Sequence, residues 1–236
     1  MKYLAILSGG LDSTVAAHIP QSEGHECLGC ISFDYGQRHA KELDYAVRQA
    51  NALGVSHQIV DLTAVTQAFT STSALTSDAP VPKGHYAAET MRQTVVPNRN
   101  MIMIAVAAAA AVTLQADAVT VGTHAGDHYI YPDCRPDFMD ALNNAIKCGN
   151  EGFISATFEI VAPFINATKA DIVKAGNALD IDMEQTWSCY EGGEIHCGQC
   201  GTCVERQEAF WVAGVQDPTE YMSPITLEEV KASAPW

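Results

Sequence analysis

Short apolar runs alternate along the chain with longer segments whose apolar residues recur at helical spacing. The short runs predict β-strands at 2–7, 26–33, 57–62, 118–122 and 159–164. The longer segments predict α-helices at 14–21, 40–53, 100–115, 136–148, 168–179 and 204–212. Because strands that alternate with helices form βαβ crossovers, we predict an α/β fold with a doubly wound parallel sheet covered on both faces.

Two long polar connections interrupt this alternation. Segment 71–92 contains two prolines and shows no firm periodicity, which is typical of a functional lid or a disordered insert. We expect a lid that the substrate orders in part. Segment 123–135 follows a predicted strand end and is dense in histidine, aspartate, tyrosine and arginine. Ligands of such sheets bind beyond the carboxyl ends of the strands, where the strand order reverses, so this loop is a candidate part of a site.

Composition and charge favour a small-molecule substrate. Of the 236 residues, 47% are apolar and 17% are charged, which is enough to build a sizeable core. The formal net charge of −15, from 28 acidic and 13 basic residues, repels polyphosphate backbones. The basic residues are scattered singly, and we therefore predict no nucleic-acid partner.

The sequence predicts a protein of the cytoplasm without a membrane partner. The apolar start before Ser8 is too short for a secretory signal. The apolar run 101–114 suits a buried helix better than a span, which needs about 20 residues. Four of the eight cysteines cluster, which indicates a metal site in a reducing compartment rather than a disulfide framework.

The clearest chemical signal is the segment 8–14, which reads SGGLDST and follows the first predicted strand. Gly9 and Gly10 allow a tight turn and a close approach of the backbone to a ligand. The unpaired N–H groups of the helix that begins near Ser13 then point into this turn, where phosphate oxygens can bind. The segment matches neither the Walker A loop nor the dinucleotide fingerprint.

A second signal is the spacing C-x7-C-x2-C-x2-C of Cys189, Cys197, Cys200 and Cys203. Overlapping short spacings bring four thiolates around one ion, and a full set of four leaves no open position, so we predict a structural zinc ion. A redox dithiol or an iron centre is the alternative. His196 is expected beside the site rather than in it. We divide the chain into 1–186, the nucleotide-binding α/β domain, and 187–236, the zinc-binding module with a C-terminal helix and tail.

The remaining cysteines have weaker interpretations. Cys27 and Cys30 fall on a predicted strand, where positions three apart face opposite sides of a sheet, so we expect them to be buried separately rather than to share a metal. Cys148 near a helix end is expected to pack. Cys134 lies beside Arg135, which would favour a thiolate, and a nucleophilic role is a minority hypothesis.

The loop and several later segments resemble one known family. The pattern SGGxDS resembles the pyrophosphate loop (PP-loop) of the ATP pyrophosphatases, which have the adenine nucleotide alpha hydrolase-like fold. The segments FDYGQRH at 33–39, VPNRN at 96–100 and YPDCR at 131–135, followed by the cysteine cluster, resemble the 7-cyano-7-deazaguanine synthases of queuosine and related deazapurine biosynthesis. The likeness extends over about residues 1–210, and Asn98 stands where the family often has glycine.

This resemblance implies a carbon–nitrogen ligase. Its substrates would be 7-carboxy-7-deazaguanine, ammonia and ATP with Mg²⁺, and its product the nitrile, formed through an adenylated acid and an amide. PP-loop chemistry implies that AMP and pyrophosphate leave, and an ADP-forming route would contradict it. The resemblance also implies a homodimer. Free ammonium is the expected nitrogen source, because the chain has no recognisable glutaminase domain.

The resemblance also suggests roles for individual residues. The nucleotide-binding set is expected to be Leu7, Ser8, Gly9, Gly10, Leu11, Asp12, Ser13, Thr14, Val15, Ala16 and Ala17. Asp12 is expected to act at the phosphates of ATP, and Lys169 could reach the same phosphates. The alternative for Lys169 is an exposed lysine in the first turn of its helix. Arg99 and Arg135 are candidates to pair with the substrate carboxylate or the AMP phosphate. Asp133 could hold the guanine-like edge, or pair with an arginine only to shape its loop.

Three rival functions stay open. A PP-loop enzyme that thiolates tRNA would need a basic surface and catalytic cysteines near the strand ends. A zinc-ribbon interaction protein with a vestigial nucleotide fold would not bind ATP, and the intact Asp12, Ser13 and Thr14 speak against it. A related enzyme with a different acceptor would keep the same loop, and the sequence separates it poorly.

Overall fold

The computed structural model describes residues 1–68, 73–85, 89–226 and 228. Its centre is a sheet of five strands, β1 (Lys2–Ile6), β2 (Glu26–Asp34), β3 (His57–Asp61), β4 (Ala118–Thr120) and β5 (Glu159–Val161). All neighbouring strands are parallel, in the order β3-β2-β1-β4-β5. The chain therefore winds outward in one direction from β1 and then in the other, which confirms the predicted doubly wound sheet.

Seven α-helices occur among the described residues: α1 (Leu11–Ser22), α2 (Glu42–Leu53), α3 (Thr63–Gln67), α4 (Arg99–Thr113), α5 (Pro136–Gly149), α6 (Lys169–Ala178) and α7 (Gly201–Ala213). Short 3₁₀ helices lie at Glu89–Thr94, Ala125–Tyr129, Pro132–Cys134 and Met183–Gln185. The sequence did not predict α3 or the 3₁₀ helices. It also placed the start of α1 at residue 14, whereas α1 begins at Leu11 because Gly10 already adopts the extended helix-cap conformation.

The two faces of the sheet are covered by different helices. Buried side chains of α4 and α5, including Ile104 and Ile146, pack on one face against Leu4 and Val119. On the other face, Ala46 and other small residues of α2 pack against a second apolar cluster that contains Tyr3, Ala5 and Cys30. Because consecutive residues of β1 alternate between the two clusters, this strand is buried on both faces, as expected for a central parallel strand.

Helix α7 is part of the main core rather than a separate layer. Ala209 and Phe210 of α7 pack with Val15 of α1 and Ile172 of α6 in one apolar cluster. Arg206 of the same helix is fully buried, and its guanidinium donates hydrogen bonds to the Thr186 hydroxyl (2.7 Å) and the Met183 carbonyl (2.8 Å). The described part of 187–236 is thus joined to the sheet-bearing part of the chain by a shared core.

The expectation that Cys27 and Cys30 face opposite sides of the sheet is wrong. The pairing of β1 with β2 shifts by one residue, so that Tyr3 lies opposite Cys27, Leu4 opposite Gly29 and Ala5 opposite Cys30. This β-bulge inserts one extra residue and reverses the alternation between the two cysteines. Both thiols therefore lie on the same side, in the cluster that contains Tyr3 and Ala5.

The described part of the long connection is packed against the rest of the molecule. In 73–85, Ala74 and Leu75 are fully buried, and the Leu75 carbonyl accepts a hydrogen bond from the Arg38 backbone (3.0 Å). Gly84 N–H donates to the Gln199 carbonyl beside the cysteine cluster (3.0 Å). The predicted lid at 71–92 includes 71–72 and 86–88, which lie outside the described residues.

One helical run of the described chain, Met91–Thr113, is long and apolar enough to cross a membrane by length and composition alone. Core helices of soluble proteins meet the same criterion. Here Ile104, Ala107 and Ala108 of α4 are buried in the core cluster on the sheet.

Candidate active site and metal centre

A cavity opens at the carboxyl end of β1, between β1 and β4, where the strand order reverses. One part of its wall comes from the turn after β1 and from α6, and includes Ser8, Gly10, Asp12, Ser13 and Lys169. Another part contributes aromatic and charged side chains, namely Tyr35, His39, Glu42, Arg99, Tyr131 and Tyr190. The cavity therefore joins a phosphate-type loop to a second group of side chains that can hold an organic acceptor.

The loop after β1 is held open by its own hydroxyl groups. Ser8 N–H donates to Ser13 Oγ (3.1 Å), and the two serine hydroxyls lie 3.0 Å apart. Gly10 N–H donates to Ser8 Oγ (3.2 Å), and Ser13 Oγ donates to the Gly10 carbonyl (3.2 Å). These bonds fix the turn at the start of α1, whose first residues Leu11, Asp12 and Ser13 line the cavity. The N–H groups of a helix start have no partner within the helix and can bind phosphate oxygens.

Gly9 is required by close packing as well as by its backbone. Its φ angle is +85°, and a β-carbon there would overlap the backbone carbonyl of Glu42 at the start of α2. Trp187 N–H donates to the Gly9 carbonyl (2.8 Å). The turn is thus fixed from two sides, by α2 and by the segment that leads to the cysteines.

The expected nucleotide-binding set divides into two groups in the structure. Leu7, Ser8, Gly10, Leu11, Asp12 and Ser13 line the cavity. The other five, Gly9, Thr14, Val15, Ala16 and Ala17, do not line it. Thr14 is fully buried, and Val15, Ala16 and Ala17 lie in apolar clusters. Helical periodicity explains this division, because residues along one helix turn face different sides.

Lys169 lies in the charged centre of the cavity, so the alternative of an exposed first-turn lysine is wrong. Its side chain is 9% exposed, and its Nζ lies 2.9 Å from Asp12 Oδ2 and 2.8 Å from Glu205 Oε2. Burial by itself lowers the pKa of Lys169, but the two carboxylates raise it above its usual value. Burial raises the pKa of Asp12, whereas Lys169 and His124 outweigh burial and hold it below its usual value. Lys169 is therefore a fixed positive charge.

The predicted capping box of α6 positions this lysine. Thr168 Oγ1 accepts from Asp171 N–H (3.2 Å), and Asp171 Oδ2 accepts from Thr168 N–H (3.1 Å). Because Lys169 is the first residue of α6, the box fixes its backbone at the edge of the cavity. This confirms the helix start predicted from sequence.

The polar loop after β4 completes the charged centre. The His124 imidazole is buried, and its Nε2 lies 3.9 Å from Asp12 Oδ2 and 3.7 Å from Asp127 Oδ2. Burial lowers the pKa of His124, but the carboxylates of Asp127 and Asp12 raise it above the usual value. Asp12 Oδ1 is buried and has no hydrogen-bond partner among the described residues. An acceptor oxygen of this kind fits a divalent cation that accompanies ATP.

Arg99 lies among tyrosines in the second part of the cavity. Its guanidinium donates to the Tyr35 hydroxyl (3.4 Å) and lies 5.7 Å from the Tyr35 ring centroid and 5.9 Å from that of Tyr131. The preceding residue, Asn98, adopts a left-handed conformation with φ of 57°. Asparagine tolerates this conformation better than most residues other than glycine, so Asn98 fits a position where the resemblance leads us to expect glycine.

Glu42 is a buried carboxylate that the sequence analysis did not single out. It is the first residue of α2 and its side chain is 13% exposed. Gln37 Nε2 donates to its Oε1 (3.3 Å), and His39 Nε2 lies 3.5 Å from its Oε2. Burial raises the pKa of Glu42 to about 8, although Arg99 and the Gln37 hydrogen bond act in the opposite direction.

Asp133 and Arg135 do not line the cavity. Asp133 Oδ2 accepts from Asn100 N–H (3.3 Å), and Arg135 Nε donates to the His128 carbonyl (2.9 Å). Cys134 does line it, but its thiol accepts from Asn100 Nδ2 (3.2 Å), and burial raises its pKa. A thiol that is held protonated is a poor nucleophile, so this environment disfavours the nucleophilic hypothesis for Cys134.

The four predicted metal ligands converge. The Sγ atoms of Cys189, Cys197, Cys200 and Cys203 all lie within 4.8 Å of one another. A tetrahedral zinc ion with bonds of about 2.3 Å separates its sulfur atoms by about 3.8 Å, so the cluster fits one such ion. Backbone N–H groups of Cys197, Gln199 and Cys200 also point at cluster sulfurs (3.2–3.4 Å), which favours thiolates.

His196 lies beside the cluster, as expected, and is buried rather than facing solvent. Its Nε2 accepts from Ser188 N–H (3.1 Å), and its ring lies 4.2 Å from that of Trp187. The cysteine cluster is therefore connected to the cavity through Trp187, whose N–H binds Gly9, and through α7, which carries both Cys203 and Glu205.

Sequence reasoning missed Glu42 and Glu205 for the same reason. Each stands on a helix where a single acidic residue is usually solvated, and each is buried by segments distant in sequence. A signal existed for Glu42, because His39 and Glu42 are three residues apart at a helix start and so face one side. For Glu205 the sequence offered only its place two residues after Cys203.

Comparisons with known proteins identify the family of the chain. The family model described as Queuosine biosynthesis protein QueC matches residues 2–214. The chain belongs to the QueC family. The 7-cyano-7-deazaguanine synthase of Allorhizobium ampelinum is 55% identical over 95% of this chain and 94% of its own length. That of Brucella ovis is 54% identical over 94% of each chain.

Membership of the QueC family makes the chain an enzyme, a ligase of queuosine biosynthesis. Among solved structures, NMN synthetase from Francisella tularensis is similar, with a TM-score of 0.49 and 15% identity over 98% of this chain and 82% of that one. A 4-thiouridine synthetase in complex with RNA and bound ATP has a TM-score of 0.47 and 16% identity over 99% of this chain and 50% of that one.

Proposed function

We propose that this chain is an ATP-dependent ligase that converts 7-carboxy-7-deazaguanine and ammonia into 7-cyano-7-deazaguanine. The observation that supports this most directly is 53–55% identity with relatives named 7-cyano-7-deazaguanine synthase. The cavity supplies matching chemistry, since a phosphate-type loop and Lys169 meet a group of tyrosines around Arg99. Arg99 is suited to pair with a carboxylate.

The chemistry that we propose removes both carboxylate oxygens in turn. A carboxylate oxygen attacks the α-phosphorus of ATP and pyrophosphate leaves; ammonia then attacks the carbonyl carbon, loses a proton and expels AMP, which gives the amide. The amide oxygen attacks a second ATP, pyrophosphate leaves, and loss of AMP with the two amide protons gives the nitrile. The loop that contains Ser8, Gly10 and Ser13 would hold the phosphates, and Lys169 would stabilise charge on the departing pyrophosphate.

The residues present also fit the two implied metals. A Mg²⁺ ion bound with ATP at Asp12, whose Oδ1 has no partner among the described residues, would neutralise phosphate charge. A structural zinc ion in the cluster of Cys189, Cys197, Cys200 and Cys203 would hold the start of α7. We further propose a cytoplasmic homodimer that uses free ammonium and requires no nucleic acid or membrane.

An isotope experiment tests this function and its route together. The zinc-replete protein is incubated with ATP, Mg²⁺, ammonium and 7-carboxy-7-deazaguanine labelled with ¹⁸O in the carboxylate, and the products are analysed by mass spectrometry. We expect the nitrile, together with AMP that carries the label, and loss of both in Asp12→Asn. Nitrile with labelled inorganic phosphate and ADP would contradict the adenylation route, and no nitrile would contradict the function.

A further inference from the structure

The cavity contains a buried acid that the proposed reaction does not yet use. Glu42 lies in its wall, 13% exposed, and none of the lysines or arginines in the described chain forms an ion pair with it. Among the described residues, the basic side chain within 4 Å of its carboxylate is that of His39. Burial lowers the pKa of His39 to about 3, so this imidazole is neutral. A buried carboxylate without a cation requires hydrogen-bond donors.

The protein supplies part of those donors and holds them rigidly. Gln37 is 4% exposed; its Oε1 accepts from Tyr35 N–H (2.8 Å), and its Nε2 donates to the Phe33 carbonyl (3.2 Å) as well as to Glu42. His39 is packed against the Tyr190 ring at 5.1 Å. Gln37 donates to Oε1, and His39 Nε2 lies 3.5 Å from Oε2, so lone pairs of the carboxylate remain for a ligand. Two donors of a bound ligand would favour the ionised form of Glu42, against the burial that raises its pKa to about 8.

The backbone around Glu42 is equally fixed. Helix α2 begins at Glu42, whose N–H donates to the His39 carbonyl (3.0 Å), and whose own carbonyl packs against Gly9 of the phosphate-type loop. The carboxylate is therefore held on the cavity wall by the same contact that shapes the loop. A side chain in this position can distinguish ligands by hydrogen bonding, because neither its backbone nor its neighbours can relax to suit a wrong one.

We propose that Glu42 recognises the guanine-like edge of the acceptor, its two carboxylate oxygens accepting hydrogen bonds from the ring N1–H and the exocyclic amine. This inference rests on the proposed function. A guanine-type ring presents two adjacent donors on that edge, and a carboxylate presents two adjacent acceptors, so the two groups pair in a bidentate manner. Tyrosines of the same wall, Tyr35, Tyr131 and Tyr190, offer aromatic faces to the flat ring.

Glu42 is better placed for this role than Asp133, to which the sequence analysis gave it. Asp133 is outside the set of residues that line the cavity, and its Oδ2 accepts from the Asn100 backbone. Glu42 is inside that set and shares the wall with Arg99, the candidate partner of the substrate carboxylate.

The test compares two acceptors in two variants. Wild type, E42Q and the control D44N, an exposed acid in the same first turn of α2, are assayed with 7-carboxy-7-deazaguanine and with its analogue that lacks the exocyclic amine. We expect E42Q to raise the KM for the guanine-type acceptor roughly 10- to 100-fold, because one amide N–H would face the amine donor. We expect the KM for ATP to change less than about twofold, since E42Q removes no phosphate contact.

The decisive readout is discrimination between the two acceptors. Wild type and D44N should prefer the amine-bearing acceptor at least about tenfold in kcat/KM, and E42Q should lose most of this preference. E42D, which keeps the charge but withdraws it by one methylene, provides a second variant if E42Q folds poorly, and it should also lose preference. Equal losses on both acceptors, or an unchanged KM, would overturn the role of Glu42. Absence of nitrile with wild type would instead overturn the proposed function.

Discussion

At the scale of single residues, the charged centre of the cavity is organised around one cation. Lys169 is within 2.9 Å of carboxylate oxygens from Asp12 and Glu205, which come from α1 and α7. Burial raises the pKa of Glu205, and Lys169 opposes this rise. Removing the lysine would therefore leave two buried acids without their shared partner and the phosphates without their nearest fixed charge.

We predict that K169M lowers kcat for AMP formation roughly 100- to 1,000-fold, because it removes a preorganised positive charge from the departing pyrophosphate. The matched control is K174M on the same helix, where the Lys174 ion pair with Asp171 is exposed and contributes little. Steady-state assays of pyrophosphate release measure both variants. Equal kcat values for K169M and wild type would exclude Lys169 from the chemistry.

Some residues that follow the loop after β1 do not contact the cavity. Thr14, Val15, Ala16 and Ala17 follow the loop directly in sequence, yet each is fully or almost fully buried in the core. A helix that begins at the cavity turns most of its residues away from it within one turn. These four residues therefore hold α1 in the core rather than contact a ligand in the cavity.

At the scale of elements, the cavity is shaped by close contacts between the phosphate-type loop and its neighbours. Gly9 allows the start of α2 to touch the loop, and Gly122, just after β4, allows the backbone of α1 to approach. A β-carbon at Gly122 would lie 2.6 Å from both Cα and N of Ser13, which are backbone atoms and cannot move aside cheaply. The geometry of the loop thus depends on Gly9 and Gly122, neither of which belongs to α1.

We predict that G122A destabilises the protein by about 1–3 kcal/mol and raises the KM for ATP, because the added methyl group displaces the start of α1. G149A is the control, since a β-carbon at the end of α5 would meet nothing within 4 Å. Denaturant unfolding and ATP-dependent kinetics measure the two effects. A G122A protein with wild-type stability and KM would contradict this packing argument.

At the scale of the whole molecule, the cysteine cluster and the cavity are one assembly. Helix α7 begins beside Cys200, contains Cys203, directs Glu205 at Lys169 and buries Arg206 in the core. Trp187 connects the segment before the cysteines to Gly9. An ion bound by the four thiolates would therefore stabilise the active site as well as the C-terminal segment.

We predict that C203S, or removal of the metal by a chelator, lowers the Tm by about 10 °C or more and also weakens ATP binding, because α7 loses its fixed start. C148S is the control, since Cys148 is exposed and distant from the cluster in sequence. The expectation that Cys148 packs is therefore wrong, because it lies on the solvent side of the last turn of α5. Thermal unfolding with and without ATP, together with metal analysis, provides the readout. Full ATP binding by metal-free protein would show that the cluster and the cavity are independent.

Most of the fold could be predicted from the sequence because local patterns of residues indicate its strands and helices. The five strands, the capping box of α6 and the convergence of the four cysteines follow from periodicity, from a start signal and from short spacing. The prediction for the two strand cysteines is wrong because strand pairing does not follow the alternation of residues along β2. A bulge in β2 brought Cys27 and Cys30 to one face, and no periodicity in the strand announces an extra residue.

The sequence alone therefore determined the class of fold, the loop after β1 and the cluster of four cysteines that could hold a metal, since each depends on residues close together in the chain. Only the tertiary structure placed Glu42 in the cavity wall and Glu205 against Lys169. Glu42 and Glu205 are 163 positions apart in numbering and lie on helices that the sequence presents as ordinary amphipathic segments. Glu42 lies on α2, which the crossover between β2 and β3 packs on the sheet, and Glu205 lies on α7, which follows β5 and packs against α1 and α6. Such long-range proximity leaves no local mark in the sequence.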